Sequence, residues 1–133
     1  MSEGGANSYV LRIKNDELER QLFLRRWLYV GLTREWARGS YVLFIKRAGA
    51  FIGSGVIRQL VPLAELDERE KQFCLQNNFS AKMVFEKLAR FIPPVSLQES
   101  PIAGMNPLTL HGLEISMRDA EKIGALARSK VIT

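Results

Sequence analysis

The stretch Gly39-Ser-Tyr-Val-Leu-Phe-Ile-Lys-Arg-Ala-Gly-Ala-Phe-Ile-Gly-Ser-Gly-Val-Ile-Arg58 decides the reading of this chain. It reads as two buried strands, residues 41–46 and 51–60, joined by a tight turn at Ala48-Gly49. Gly53 and Gly55 interrupt the second strand. Two glycines two residues apart bend a strand and let another backbone or a flat ligand come close. Lys46, Arg47 and Arg58 surround the hairpin, and Arg38 stands just before it. A short, sharply bent hairpin of this kind suits a small mixed β-barrel with a cationic rim, which is a scaffold for binding.

The flanking segments complete an α+β pattern. Upstream, residues 8–14 alternate, with Tyr9, Leu11 and Ile13 on one side and Val10, Arg12 and Lys14 on the other, as a strand does. Asn15 and Asp16 offer capping oxygens to a helix over 16–24, with Leu18, Leu22 and Phe23 on one side. Residues 27–31 (Trp-Leu-Tyr-Val-Gly) predict a short strand, and 33–39 a polar connection holding a second tryptophan, Trp36.

Downstream, Pro62 ends the hairpin and 64–77 is helical, with Leu66, Phe73 and Cys74 facing inward. Residues 80–91 fit neither period cleanly, and the Pro93-Pro94 that follows favours a strand. Residues 95–110 read as a long loop and 111–115 as a closing strand. Ser116 caps a last helix over 117–128, with Asp119 at its third position. The expected fold is α+β: a small mixed β-barrel with flanking helices. Residues 1–7 are expected to form a disordered tail and 8–133 a single domain.

Composition bounds the function. The chain has 133 residues, 47% of them hydrophobic and 25% charged, as in an ordinary globular domain. Nothing approaches the roughly 18 apolar residues of a membrane helix, and residues 1–7 lack the basic and apolar regions of a secretory leader. A cytoplasmic protein with no membrane partner is expected. One cysteine excludes an internal disulfide, and one cysteine with one histidine leaves little for a metal. No metal or cofactor is expected.

The net charge of +5 is uneven: residues 1–60 hold ten Lys or Arg against five Asp or Glu, whereas 61–133 hold nine of each. A basic half of this kind points to an anionic partner, of which nucleic acid is the commonest. There is no dinucleotide fingerprint, phosphate loop, nucleophile elbow or zinc pattern. His111, before Gly112, reads as a turn histidine. Aromatic and cationic residues interleave instead: Trp27, Tyr29 and Trp36 share one stretch with Arg25, Arg26, Arg34 and Arg38. Rings can stack on bases while neighbouring cations hold phosphates. Trp27 and Tyr29 read equally as core residues of their strand.

The order of these features resembles the PUA-like barrels, in particular their EVE and YTH branch. The residues that carry the resemblance are Tyr9-Val-Leu-Arg-Ile-Lys-Asn15, Trp27-Leu-Tyr-Val-Gly31, Tyr41-Val-Leu-Phe-Ile45 and Phe51-Ile-Gly-Ser-Gly-Val-Ile57. Ser40 stands where that pattern has an aspartate. The likeness covers about residues 8–60 and, more loosely, continues to 97, where it also favours a strand over 80–91. It implies a domain that binds nucleic acid, in YTH domains a modified base in an aromatic pocket. In that pocket Asn15 matches an asparagine after the first strand, and Trp27 or Tyr29 a tryptophan on the second. A third tryptophan for the cage is missing from the second half, as is the Lys-Glu-Arg pattern of the ASCH relatives. The expectation is non-catalytic binding of nucleic acid, RNA above all. Trp27, Tyr29 and Trp36 would stack, Asn15 would bond a base edge, and Arg25, Arg26, Arg34, Arg38, Lys46, Arg47 and Arg58 would face phosphates. The alternatives are an ASCH-like hydrolase of a small amide and a protein-interaction module with an apolar patch.

Overall fold

The structure, a computed structural model, describes residues 8–31, 36–46, 49–106 and 110–131. The expected tail 1–7, Arg34, Arg47 and Ala48 lie outside the described residues. Six strands form one sheet: β1 (Ser8–Ile13), β2 (Trp27–Val30), β3 (Tyr41–Lys46), β4 (Ala50–Pro62), β5 (Ala81–Ser96) and β6 (Glu114–Ile115). Their order is β2-β5-β4-β3-β1-β6, with β1 and β3 parallel and the other pairs antiparallel. Among the described residues β2 and β6 are free edges, so the mixed sheet curls without closing into a barrel. Among the described residues three α-helices accompany it: α1 (Asp16–Arg25), α2 (Glu68–Gln76) and α3 (Met117–Val131). No described helix is long and apolar enough to cross a membrane.

Strand alternation divides the core in two. Tyr9, Leu11 and Ile13 of β1, with Val42 and Phe44 of β3, face the concave side, where they meet Ile57, Met83 and Phe85. Leu22 of α1 and Trp36 are buried there too. Val10, Leu43 and Ile45 face the convex side and pack under Ala120, Ile123 and Ala127 of α3. The helix α1 therefore covers the concave side, where Leu22 joins that cluster and Phe23 lies against Gly53.

The glycines of the hairpin serve this packing. A Cβ at Gly53 would come within 2.6 Å of Phe23 Cζ and closer still to the Ala89 carbonyl oxygen. Phe23, from α1, sits edge-on to Phe44 at 6.2 Å. Gly53 thus admits a helix side chain and the β5 backbone. A Cβ at Gly55 would meet Leu88, Phe85 and Phe44. Around these positions β4 and β5 slip register three times, at Phe51/Gly53, Ser54/Val56 and Ile57/Gln59, which bends the pair.

Three expectations change in detail. β5 runs through Pro93 and Pro94 to Ser96. The step from Phe51 to Gly53 on β4 faces the step from Val95 back to Arg90 on β5, so residues 91–94 bulge out of the ladder and the prolines forgo no bond there. The helix over 64–77 is a 3-10 turn (Leu63–Glu65) followed by α2, with Asp67 capping Glu70 N. Cys74 and Leu66 are buried as expected, but Phe73 is 46% exposed because α2 packs on the convex face, over β2. The closing strand shrinks to the two residues of β6.

Candidate nucleic-acid interface

β2 is an edge strand whose residues alternate across the sheet. Leu28 and Val30 turn inward, so Trp27 and Tyr29 stand on the convex face, half-buried. Their rings lie 4.8 Å apart. Tyr29 is enclosed by α2 and the segment after it, with Phe73 at 5.4 Å and Phe79 at 5.7 Å. Its hydroxyl donates to Glu70 Oε1 at 2.8 Å, and the Lys82 ammonium binds the same oxygen at 3.0 Å. Burial, then the Glu70 contact, pushes the Tyr29 phenol far above its usual range. Tyr29 is thereby a fixed, neutral wall.

Trp27 is held differently. Lys82 Nζ sits 4.2 Å from its ring centroid and the Arg25 guanidinium 5.6 Å away. Cation–ring contacts of this kind are worth about 0.5–1 kcal/mol at exposed sites. Lys82 is tied down by Glu70, whereas Arg25 has no carboxylate within 4.0 Å among the described residues.

The other cations divide into two groups. Arg26, exposed, is the αL cap of α1 at φ 70°, and its carbonyl accepts from Phe85 N at 2.9 Å. Phe85 pairs with Ile57, next to exposed Arg58, and the Ile57 carbonyl accepts from Gly39 N, next to exposed Arg38. Arg25, Arg26, Arg58 and Arg38 therefore follow one rung across β5 and β4, about 14 Å at ordinary strand spacing. Lys46 lies at the opposite end of β3 and is bound to Asp16 and, at 3.0 Å, to Glu19.

Asn15 and Trp36 lie away from this strip. The Asn15 side chain accepts from Leu18 N at 2.9 Å as the N-cap of α1. The ten residues of α1 separate it from Trp27 by about 15 Å of helix. Trp36 is buried in the concave core, edge-on to Tyr9 at 4.8 Å. Arg34 and Arg47 lie outside the described residues. Four members of the aromatic site had not been singled out from sequence: Phe73, Phe79, Glu70 and Lys82. They come from α2, the segment after it and β5, and the β2–β5 register (Tyr29 opposite Lys82) unites them with Trp27. Among the described residues no cluster of His, Cys, Asp and Glu could hold a metal.

This open mixed sheet with a helix laid across one side is a fold shared with solved ASCH and YTH structures. In particular, the chain is similar to the ASCH protein of Zymomonas mobilis, with a TM-score of 0.66 at 12% identity over 90% of this chain and 94% of that one. It is also similar to the YTH domain of a Zygosaccharomyces rouxii protein in complex with N6-methyladenosine RNA. There the TM-score is 0.57 at 16% identity, over 95% of this chain and 87% of that one. No family model matches the chain, nor does any curated protein.

Proposed function

We propose that this domain binds single-stranded RNA without chemistry of its own, stacking a base on Trp27 while Arg25, Arg26, Arg58 and Arg38 take the adjoining phosphates. The observation that carries the reading is the arginine strip that begins at the half-exposed Trp27 and has no carboxylate partner among the described residues. A base must be splayed out to reach such a ring, which favours single strands over duplex. The fold shared with a YTH domain solved on methylated RNA supports the same class of partner. Tyr29 would serve as the wall behind Trp27 and not as a second stacking face. The amide-hydrolase alternative finds Glu70 already shared by Tyr29 and Lys82.

The test is titration of the intact chain with labelled single-stranded RNA, single-stranded DNA and duplex at two salt concentrations. Trp27→Ala should weaken RNA binding about 5- to 150-fold, the equivalent of one stacked base at ~1–3 kcal/mol. Arg25→Gln should reduce the slope of log K against log salt by about one. Unchanged affinity in a folded Trp27→Ala variant, or no RNA binding at low salt, overturns the proposal.

A further inference from the structure

The convex face carries a second polar group near the opposite edge of the sheet. Because Leu11 and Ile13 turn inward, Arg12 is placed outward on β1, and the exposed Lys14 follows just past the end of the strand. The turn before β6 runs beside them: Gly112 N donates to the Val10 carbonyl at 2.7 Å, and Arg12 N donates to His111 Nδ1 at 3.0 Å. That second bond sets the tautomer. Nδ1 is an acceptor, so the proton of the neutral ring is on Nε2 and is available to a ligand. Partial burial, then the charges of Arg12 and Lys14, hold the imidazole below its ordinary value of 6.5. Neither cation has a carboxylate within 4.0 Å among the described residues. The nearest acidic side chain on the adjoining strand is Glu114, which pairs with Tyr9, three residues back along β1.

We infer that His111, Arg12 and Lys14 form a phosphate-binding site, in which the His111 Nε2–H and the two cations converge on one phosphate oxyanion. An imidazole N–H, a guanidinium fork and an ammonium supply donors in three directions, and charge-assisted bonds to phosphate are the stronger kind. The phosphate can belong to a nucleic-acid backbone or to a free phosphate ester. The site shares no residue with the Trp27 reading, drawing on β1 and the turn before β6 where that reading draws on β2, β4 and β5.

His111 is the single histidine of the chain, so its ring resonances in a 15N-edited NMR spectrum report on this site without assignment. The intact chain is titrated at low salt with inorganic phosphate and, separately, with an octauridine RNA. Saturable movement of the His111 signals and an upward shift of their titration midpoint are expected. Both effects should weaken at least tenfold in an Arg12→Gln/Lys14→Gln variant, and in Lys14→Gln alone should the pair disturb folding. Movement with both ligands assigns the site to a nucleic-acid backbone phosphate, and movement with inorganic phosphate alone to a free phosphate ester. No movement with either, or the same movement in the variants, overturns the site. RNA that quenches tryptophan without moving His111 would refute this inference while leaving the Trp27 proposal intact.

Discussion

The two tryptophans should respond to truncation by different amounts. Trp36 is buried in the concave core against Tyr9, in a region that α1 and β1 seal. Trp36→Ala leaves a cavity there and should cost about 3–5 kcal/mol, a large share of a typical stability of ~5–15 kcal/mol. At 133 residues, an unfolding entropy of about 2.1 cal/mol/K per residue makes each kcal/mol worth about 3.6 °C, so the melt should fall by roughly 11–18 °C. Trp27 is half-buried on the convex face. Losing about half of a tryptophan's ~200 Å² of contact at ~25 cal/mol/Å² amounts to about 2.5 kcal/mol, or about 9 °C. Circular dichroism melts of the two variants give the ordering directly. Iodide quenching of the remaining tryptophan adds an independent reading: in Trp36→Ala the surviving Trp27 is accessible, and in Trp27→Ala the surviving Trp36 is shielded. Equal losses of stability, or a Trp36→Ala variant melting within 3 °C of the parent, would refute the placement of these rings on opposite sides of the sheet.

Two further outcomes follow from the packing and the charges. Gly53→Ala drives a Cβ against the Ala89 carbonyl and to within 2.6 Å of Phe23; because backbone cannot give, a loss of about 1–3 kcal/mol is expected in denaturant unfolding, and Phe23→Ala should restore only part of it. Acid should weaken the fold in a defined way. Lys46 holds the Asp16 carboxyl below its ordinary 3.8, and Lys130 holds Glu99 below its ordinary 4.5. Carboxyls lowered in the folded state contribute stability above their unfolded values, which is lost as pH falls through the folded ones. Asp16→Asn and Glu99→Gln should therefore flatten the decline in melting temperature below about pH 4.5, and an unchanged decline counts against both ion pairs.

Much of the fold was legible because its signals are local. Alternation at Tyr9, Leu11 and Ile13 assigned the interior side of β1, and Asn15 and Ser116 cap their helices with side-chain bonds to Leu18 N and Asp119 N. What stayed hidden depends on pairing between distant segments. The bulge at residues 91–94 lets a strand pass through two prolines, and nothing in those residues alone reports which carbonyls lie opposite. Curling without closure is likewise a property of six strands together. The site shows the same division. Arg25, Arg26, Trp27 and Tyr29 are neighbours in sequence and remain neighbours in space. Arg38 and Arg58 join them only through the Ile57 rung, whereas Asn15 and Lys46, close to them in sequence or in charge, belong to the other end of the sheet. A tryptophan among polar residues, as Trp36 is, suggests a surface until the strand it covers is known.

The position of β1 between β3 and β6 has a consequence for the order of events on the ribosome. Its residues emerge early and can pair with Tyr41–Lys46 once the hairpin has been made. Its other side waits for Glu114–Ile115, about 100 residues later, which at ~5–20 residues per second is about 5–20 s of translation. For that interval one edge of the oldest strand is bare, and the Arg12 amide has no His111 ring to bond. The nascent chain therefore carries its arginine strip and Trp27 in near-final form before the second cationic site exists, and the last strand to arrive completes both the sheet and that site in one step.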